Sequence, residues 1–377
     1  MRILFPIGSF YPAQSGGPNN SIYWLSKMLI KSDHDVYIIT TNQGINVSHN
    51  IKLNKWLLSE SINVIYCKTH VHYFPLRFII ESLKKIKYVD IIHLTSVFYP
   101  PSLIIAILGV LQNKKILWST RGELNSQALI YNKYVKEIYL NIIKIISKRI
   151  TFHVTSEDER DYVKNKLNDI SIVLLPNYFE LPGLLNTEYK KQFLYIGRIS
   201  PIKALENLIL ALPISNHFIK SEYSLIIAGT FENNEKWYYE KLLKLITDNS
   251  LNEKIKFVGH IVGKDKQLLY AESYFTILPS HSENFGNVVL ESLVQGTPVI
   301  ASKSVPWKIL EGTNSGFWVD NDSETISKYI DLVISIPCGE YNQMRLNAIK
   351  LAQKYDIGKN ISNWIENYNK VINNEFI

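Results

Sequence analysis

The sequence predicts an α/β protein of two domains, each built on a parallel, doubly wound sheet, and three observations carry that expectation. At 377 residues the chain exceeds what one hydrophobic core usually supports. Short apolar runs bounded by polar turns alternate with segments of helical period, which is the pattern of βα units. The alternation breaks once, between Pro176-Asn177 and Lys191, where Pro182-Gly183 and polar residues interrupt it. The expected domains are residues 1–178 and 190–355, followed by a helical segment at 356–377.

In the first half the expected strands are Arg2–Pro6, Val36–Thr41, Val64–Lys68, Asp90–Leu94, Ile116–Thr120, Thr151–Thr155 and Ile172–Leu175. Between the first of them and a helix at about Asn20–Ile30 lies Pro12-Ala13-Gln14-Ser15-Gly16-Gly17-Pro18. Paired glycines there either let backbone approach a ligand closely or simply make a turn. Asn132–Arg149 sets Lys133, Lys136, Lys144, Lys148 and Arg149 around Ile138, Leu140, Ile142, Ile143, Ile145 and Ile146. Such a basic amphipathic helix can lie on an anionic membrane or pack on its sheet with solvated lysines. The second series of strands runs Phe193–Gly197, Tyr223–Gly229, Ile255–Val258, Tyr274–Leu278, Val299–Ala301 and Phe317–Val319. Tyr341–Ile377, with Trp364 and Tyr368, is helical in pattern. Open α/β sheets bind ligands at the carboxyl ends of their strands, so two facing Rossmann-like domains are expected to place a site in the cleft between them.

Composition narrows the class. Hydrophobic residues make up 46% and charged residues 20%, as in ordinary globular α/β proteins. The longest apolar runs, Leu103–Leu111 and Ile142–Ile146, fall well short of the roughly 20 residues of a membrane span. Met1–Pro6 is too short for a signal peptide and reads as a strand. Cys67 and Cys338 lie far apart without metal-ligand spacing, so a reduced, cytoplasmic setting is expected. The net charge of +7 is uneven: residues 1–180 carry 21 Lys and Arg against 13 Asp and Glu, and residues 181–377 carry 20 against 21. The N-terminal excess suggests an anionic partner, either phospholipid headgroups or a phosphate-bearing acceptor. Nucleic acid is not expected, because the basic residues are dispersed and no nucleic-acid-binding motif accompanies them. His93, His153 and His281 are expected in the core or at its rim rather than in catalysis.

The richest stretch runs from Ser280 to Ala301. Glu283 and Glu291 bracket Asn284-Phe285-Gly286-Asn287-Val288-Val289-Leu290, and Gly296-Thr297-Pro298-Val299 follows. The apolar run Tyr274–Leu278 reads as a buried strand, and Gly286 marks the turn into a helix at Asn287–Gln295. Glu283 then lies just outside the helix and Glu291 about one turn inside. Backbone N–H groups of the helix start, aided by the helix dipole, suit a phosphate between them.

These residues closely resemble the E-x7-E signature of retaining glycosyltransferases of family 4, whose fold is GT-B. The resemblance implies a nucleotide-sugar donor, with Glu283 toward the sugar and Glu291 toward the ribose. Phe285, Gly286, Asn287 and Val288 would line the donor site, and Gly16 and Gly17 would face the donor phosphates and sugar. Gly197-Arg198-Ile199-Ser200-Pro201-Ile202-Lys203 resembles the family's G-R-x-x-x-x-K-G motif. Arg198 and Lys203 would neutralise the diphosphate, most strongly as charge builds on it in the transition state, so no metal or other cofactor is expected. Where the family usually has Gly, this chain has Ala204. Ser119-Thr120-Arg121-Gly122-Glu123-Leu124 looks like the R-G-[EM]-L segment of members that build surface polysaccharides, although many relatives place a His there. Arg121 could hold a phosphate of the acceptor or of the donor, and Glu123 an acceptor hydroxyl. In the family the C-terminal helices cross back onto the N-terminal domain.

The expected function is therefore a cytoplasmic, metal-independent retaining glycosyltransferase that moves a hexose from a nucleotide sugar to a glycan or lipid-linked glycan, in surface polysaccharide biosynthesis and peripheral to the membrane. Its rivals are a GT-B nucleotide-sugar epimerase and a catalytically silent sugar-nucleotide or glycan-binding protein.

Overall fold

The computed structural model describes residues 1–13, 17–45, 49–71, 73–130 and 132–375. They form two compact units, Met1–Glu180 with Asp356–Ile377, and Leu181–Tyr355. Among the described residues no helix is long and apolar enough to cross a membrane.

The first unit holds eight strands: β1 (Arg2–Ile7), β2 (Asp35–Thr41), β3 (Trp56–Ser59), β4 (Ile62–Cys67), β5 (Ile91–Thr95), β6 (Lys115–Ser119), β7 (Thr151–Val154) and β8 (Ser171–Leu174). Their order is β3-β4-β2-β1-β5-β6-β7-β8. All neighbours are parallel except β3 and β4. Every residue of β5 and β7 is buried, as expected of strands covered on both faces.

β3 has no counterpart among the strands expected from sequence. It pairs with β4 through a two-residue turn at Glu60-Ser61, both with positive φ (46° and 69°). Asn-Gly or Asp-Gly usually marks such a turn. Here a tertiary contact holds it instead: Glu60 accepts the Tyr23 hydroxyl and pairs with Lys27 at 3.3 Å.

The C-terminal helix Ile357–Asn373 belongs to this first unit. It starts where Asp356 accepts from the Gly358 N–H (2.8 Å) and the Ile357 N–H donates to Phe179 O (2.8 Å). Its Trp364 and Tyr368 are buried against a polar seam that crosses three strands. His93 on β5, Ser119 on β6 and His153 on β7 lie in one chain. Tyr368 Oη is 2.7 Å from His93 Nδ1, Ser119 Oγ is 2.7 Å from both His93 Nε2 and His153 Nδ1, and His153 Nε2 is 2.9 Å from Leu175 O. The carbonyl can only accept, so His153 donates from Nε2 and accepts at Nδ1 from Ser119. Ser119 then accepts from His93 Nε2–H, and His93 Nδ1 accepts from Tyr368. All four side chains are satisfied only when both imidazoles are neutral. Burial pushes the His93 pKa well below its usual value and that of His153 down to about 3, with nearby Arg121 acting in the same direction on both.

The second unit holds β9 (Gln192–Ile196), β10 (Ser224–Ala228), β11 (Ile255–Gly259), β12 (Phe275–Leu278), β13 (Val299–Ser302) and β14 (Gly316–Val319). The sheet is wholly parallel, in the order β11-β10-β9-β12-β13-β14. The chain winds outward from β9 in one direction and from β12 in the other, so the strand order reverses between them. That switch point leaves a crevice at the carboxyl ends of the two strands.

Candidate functional site

Both motifs singled out in the second half of the sequence arrive at this switch point. Gly197 follows β9 directly, and its positive φ (154°) turns the chain beside Gly229 so tightly that a Cβ on Gly229 would sit 1.8 Å from Gly197 O. The buried Tyr195 hydroxyl donates to Arg198 O (2.8 Å), and a single 3-10 turn, Pro201–Lys203, then presents Lys203. The next residue, Ala204, is buried with a left-handed backbone (φ 50°, ψ 41°). A glycine reaches that conformation without strain, which accounts physically for the family's preference; alanine carries roughly 1–2 kcal/mol.

The loop after β12 is knitted to its neighbours by hydrogen bonds onto backbone carbonyls. His281 N–H donates to Ile202 O (2.8 Å), Ser302 Oγ to Ser280 O (2.5 Å) and Glu283 N–H to Ser304 O (3.3 Å). Phe285 is buried between Trp307 and Tyr355, and Trp307 Nε1 donates to its carbonyl (2.5 Å). Gly286 has φ 77°, and a Cβ there would press on Val305 Cγ1 at 3.0 Å. Asn287 and Val288 then open the helix Asn287–Val294. Among the described residues no side chain caps its start, and no acidic residue stands in its first turn.

The structure brings Lys203 and Glu283 together across the two loops. Lys203 Nζ donates to Glu283 Oε1 (2.5 Å), and Ser280 Oγ donates to the same oxygen (2.9 Å). Both charged side chains are largely shielded, at 18% and 15% exposure. Glu291 repeats the arrangement. Its Oε2 accepts from the buried Tyr270 hydroxyl (2.8 Å) and from Lys266 Nζ (2.7 Å). In each carboxylate one oxygen is anchored by two donors. Among the described residues the other, Oε2 of Glu283 and Oε1 of Glu291, accepts no hydrogen bond. Arg198 instead meets the exposed Glu232 (3.0 Å).

The first-half candidates occupy a different unit. Gly16 lies outside the described residues, and Gly17 is the first residue of the helix Gly17–Lys31. Arg121 and Gly122 both have positive φ and form a tight turn closed by Glu123 N–H to Thr120 O (3.1 Å). Glu159 holds that turn, accepting from Gly122 N–H (2.5 Å), Thr120 Oγ1 (2.7 Å) and Thr155 N–H (2.7 Å). Arg121 donates to Asn177 Oδ1 (3.0 Å), while its buried Nε finds no partner among the described residues. Burial lowers its pKa to about 10, which leaves it cationic at neutral pH. Glu123 is filled by its own chain: Ser96 Oγ and the N–H groups of Val97 (2.5 Å) and Phe98 (3.0 Å) donate to it, and burial raises its pKa. Although only two residues apart, Arg121 and Glu123 enter separate networks. His281 is exposed, with Asn321 3.3 Å from its Nδ1.

Ser280 opens the stretch singled out in the sequence, whereas Lys266, Tyr270 and Glu232 carry no mark there. The one available signal is that Lys266 and Tyr270 are four residues apart on the helix Gly263–Ala271 and so share a face.

Residues 182–354 match the family model described as glycosyl transferases group 1. An uncharacterized glycosyltransferase of Methanocaldococcus jannaschii is 25% identical over 89% of each chain. The O-antigen chain mannosyltransferase B of Escherichia coli is 29% identical over 36% of this chain and 35% of its own. Among solved structures, Anabaena HepE in complex with UDP and glucose superposes with a TM-score of 0.75 at 18% identity, covering 97% of this chain and 100% of HepE. Sucrose-phosphate synthase of Thermosynechococcus elongatus gives a TM-score of 0.77 at 19% identity, over 98% and 99%. These structural likenesses establish the fold, two Rossmann-like units of the GT-B type.

Proposed function

We propose, from the match of residues 182–354 to the glycosyl transferases group 1 family model, that this chain is a retaining, metal-independent transferase moving a hexose from a nucleotide sugar to a glycan or lipid-linked glycan in surface polysaccharide synthesis. One observation carries the proposal: at the switch point Lys203 anchors one oxygen of Glu283 and leaves the other for a ligand hydroxyl. The O-antigen mannosyltransferase relative and the nucleotide in HepE support the choice of acceptor and donor class.

In this reading the donor diphosphate lies at the start of the helix Asn287–Val294, between Arg198 and Lys203. The two cations stabilise the charge that builds on the leaving diphosphate as the glycosidic bond breaks. Glu291 takes the ribose and Glu283 the sugar. Retention follows from front-face attack, the leaving phosphate accepting the proton of the acceptor hydroxyl. Arg121, cationic and with an Nε that has no partner among the described residues, serves a phosphate of acceptor or donor, and Glu123 holds the loop that leaves β5 in place.

A thermal-shift screen of UDP, GDP, ADP and their sugars should show one nucleotide raising the melting temperature, since a ligand that binds the folded state stabilises it by mass action. The stabilising donor should then be hydrolysed slowly alone and transferred when acceptor is present, with EDTA without effect. Donor conversion to another sugar without acceptor would establish an epimerase, and binding without any turnover a silent subunit. Loss of activity in EDTA would overturn metal independence.

A peripheral membrane location is part of the same reading. The helix Lys133–Ile146 buries Leu140 and Ile143 yet exposes Tyr134 (83%), Ile138 (62%) and Ile145 (82%) beside Lys133 and Lys144. Sedimentation with anionic vesicles should decrease as salt rises, because exposed charges are screened beyond about 8 Å at physiological ionic strength. The Ile138→Glu, Ile145→Glu variant should bind at least ten-fold less. Equal binding to neutral vesicles, or none to either, would count against membrane attraction.

A further inference from the structure

At the carboxyl end of β4, away from the residues assigned so far, the chain runs into a groove of about 610 Å³ alongside the helix Leu76–Ile86. It is a shallow groove, open to solvent along its length rather than an enclosed cavity. Its apolar wall is formed by Val71, Phe74, Leu76 and Ile80, all of them exposed; Phe74 is 56% and Leu76 61% accessible. A run of large apolar side chains left in water at one place marks a binding surface more often than chance exposure does. Its charged groups are one-sided. Lys84 is paired with Glu81 at 3.1 Å, whereas Lys68 and Arg77 form no ion pair among the described residues. Arg77 stands in the first turn of the helix, donating to Asn54 O (3.3 Å). Among the described residues no side chain caps that helix, and no acidic residue occupies its first turn, so the helix dipole adds to the positive field.

The geometry points to a binding site for a single-chain lipid phosphate, the apolar chain lying on Val71, Phe74, Leu76 and Ile80 and the phosphate meeting Lys68, Arg77 and the helix start. An uncharged lipid would leave the cations unmatched, and a free phosphate would leave the apolar wall in water. This inference rests on the reading of the chain as a transferase acting on a lipid-linked acceptor, and it names the part of that acceptor the first unit holds.

The test is equilibrium dialysis of the full chain against dodecyl phosphate below its micelle concentration, with dodecyltrimethylammonium and inorganic phosphate in parallel. Dodecyl phosphate should occupy one site, more weakly as salt rises. The cationic amphiphile and inorganic phosphate should bind at least ten-fold more weakly. Phe74→Ser and Arg77→Gln, both exposed positions, should each weaken dodecyl phosphate at least five-fold while the melting temperature stays within about 2 °C of wild type, the shift expected for small surface effects. Equal affinity in both variants, equal binding of the cationic amphiphile or of inorganic phosphate, or binding to anionic vesicles without binding of the monomeric lipid would each overturn the site. Donor hydrolysis by the wild-type chain, measured alongside, tests the transferase reading by itself, so failure of one is told apart from failure of the other.

Discussion

Glu283→Gln is expected to lower single-turnover transfer by about 10²–10³-fold, the loss typical of removing one preorganised charge partner of a transition state. Affinity for the matching nucleoside diphosphate should stay within a few-fold. The substitution keeps shape and can still accept from Ser280 and Lys203 through its amide oxygen, but the negative charge beside a centre that becomes positive is gone. Glu291→Ala should differ in kind. It removes the carboxylate proposed for the ribose and leaves the buried Tyr270 hydroxyl and Lys266 without their acceptor, so the free nucleotide should weaken by roughly 1–3 kcal/mol. Lys203→Ala combined with Glu283→Gln should cost less than the sum of the two singles, because each single change already removes the charge–charge attraction of the same pair. Calorimetry with the nucleotide and rapid-quench kinetics check these outcomes. Should Glu283→Gln abolish nucleotide binding while Glu291→Ala leaves it intact, the two roles are reversed.

The second large effect is on stability against acid. The unfolded chain protonates His93 and His153 near pH 6.5, whereas the folded chain holds both neutral far below that, His153 down to about 3. Between those limits the unfolded state binds more protons, so stability falls as pH falls. The slope is about 1.4 kcal/mol per pH unit for each imidazole kept neutral. Above pH 6.5 neither group contributes a slope. The urea midpoint of the first unit should therefore drop steeply from pH 6.5 to 4.5. His153→Gln keeps a donor and an acceptor and should flatten that slope by about half even if it lowers stability at pH 7. An unchanged slope in His153→Gln would show that carboxylates, not the imidazoles, set the acid limit.

How much of this was legible differs by element. The strands of both sheets, apart from β3, announce themselves as apolar runs between turn residues, because a strand buried on both faces needs nothing else. Trp56–Ser59 escaped because its edge position leaves alternate side chains in water and its turn residues, Glu60-Ser61, are held left-handed by Tyr23 and Lys27 rather than by their own preference. Gly197, Gly286 and the Gly-Arg-to-Lys spacing were legible for the opposite reason, since the backbone itself demands them where they stand.

The sequence by itself determined two series of βα units, the place where one gives way to the other, and which loops carry cations and carboxylates, since periodicity, turn chemistry and charge are properties of neighbouring residues. Only the tertiary structure decided what each charge meets. Lys203 reaches Glu283 because β9 and β12, far apart in the chain, are neighbours in the sheet with their carboxyl ends at one crevice. Glu123, which resembled a ligand for the acceptor, has its carboxylate filled by the chain leaving β5, while Arg121 two residues away has an Nε without a partner among the described residues. A buried charge takes whatever partner the packing puts beside it, and that partner is chosen by strand order rather than by sequence distance.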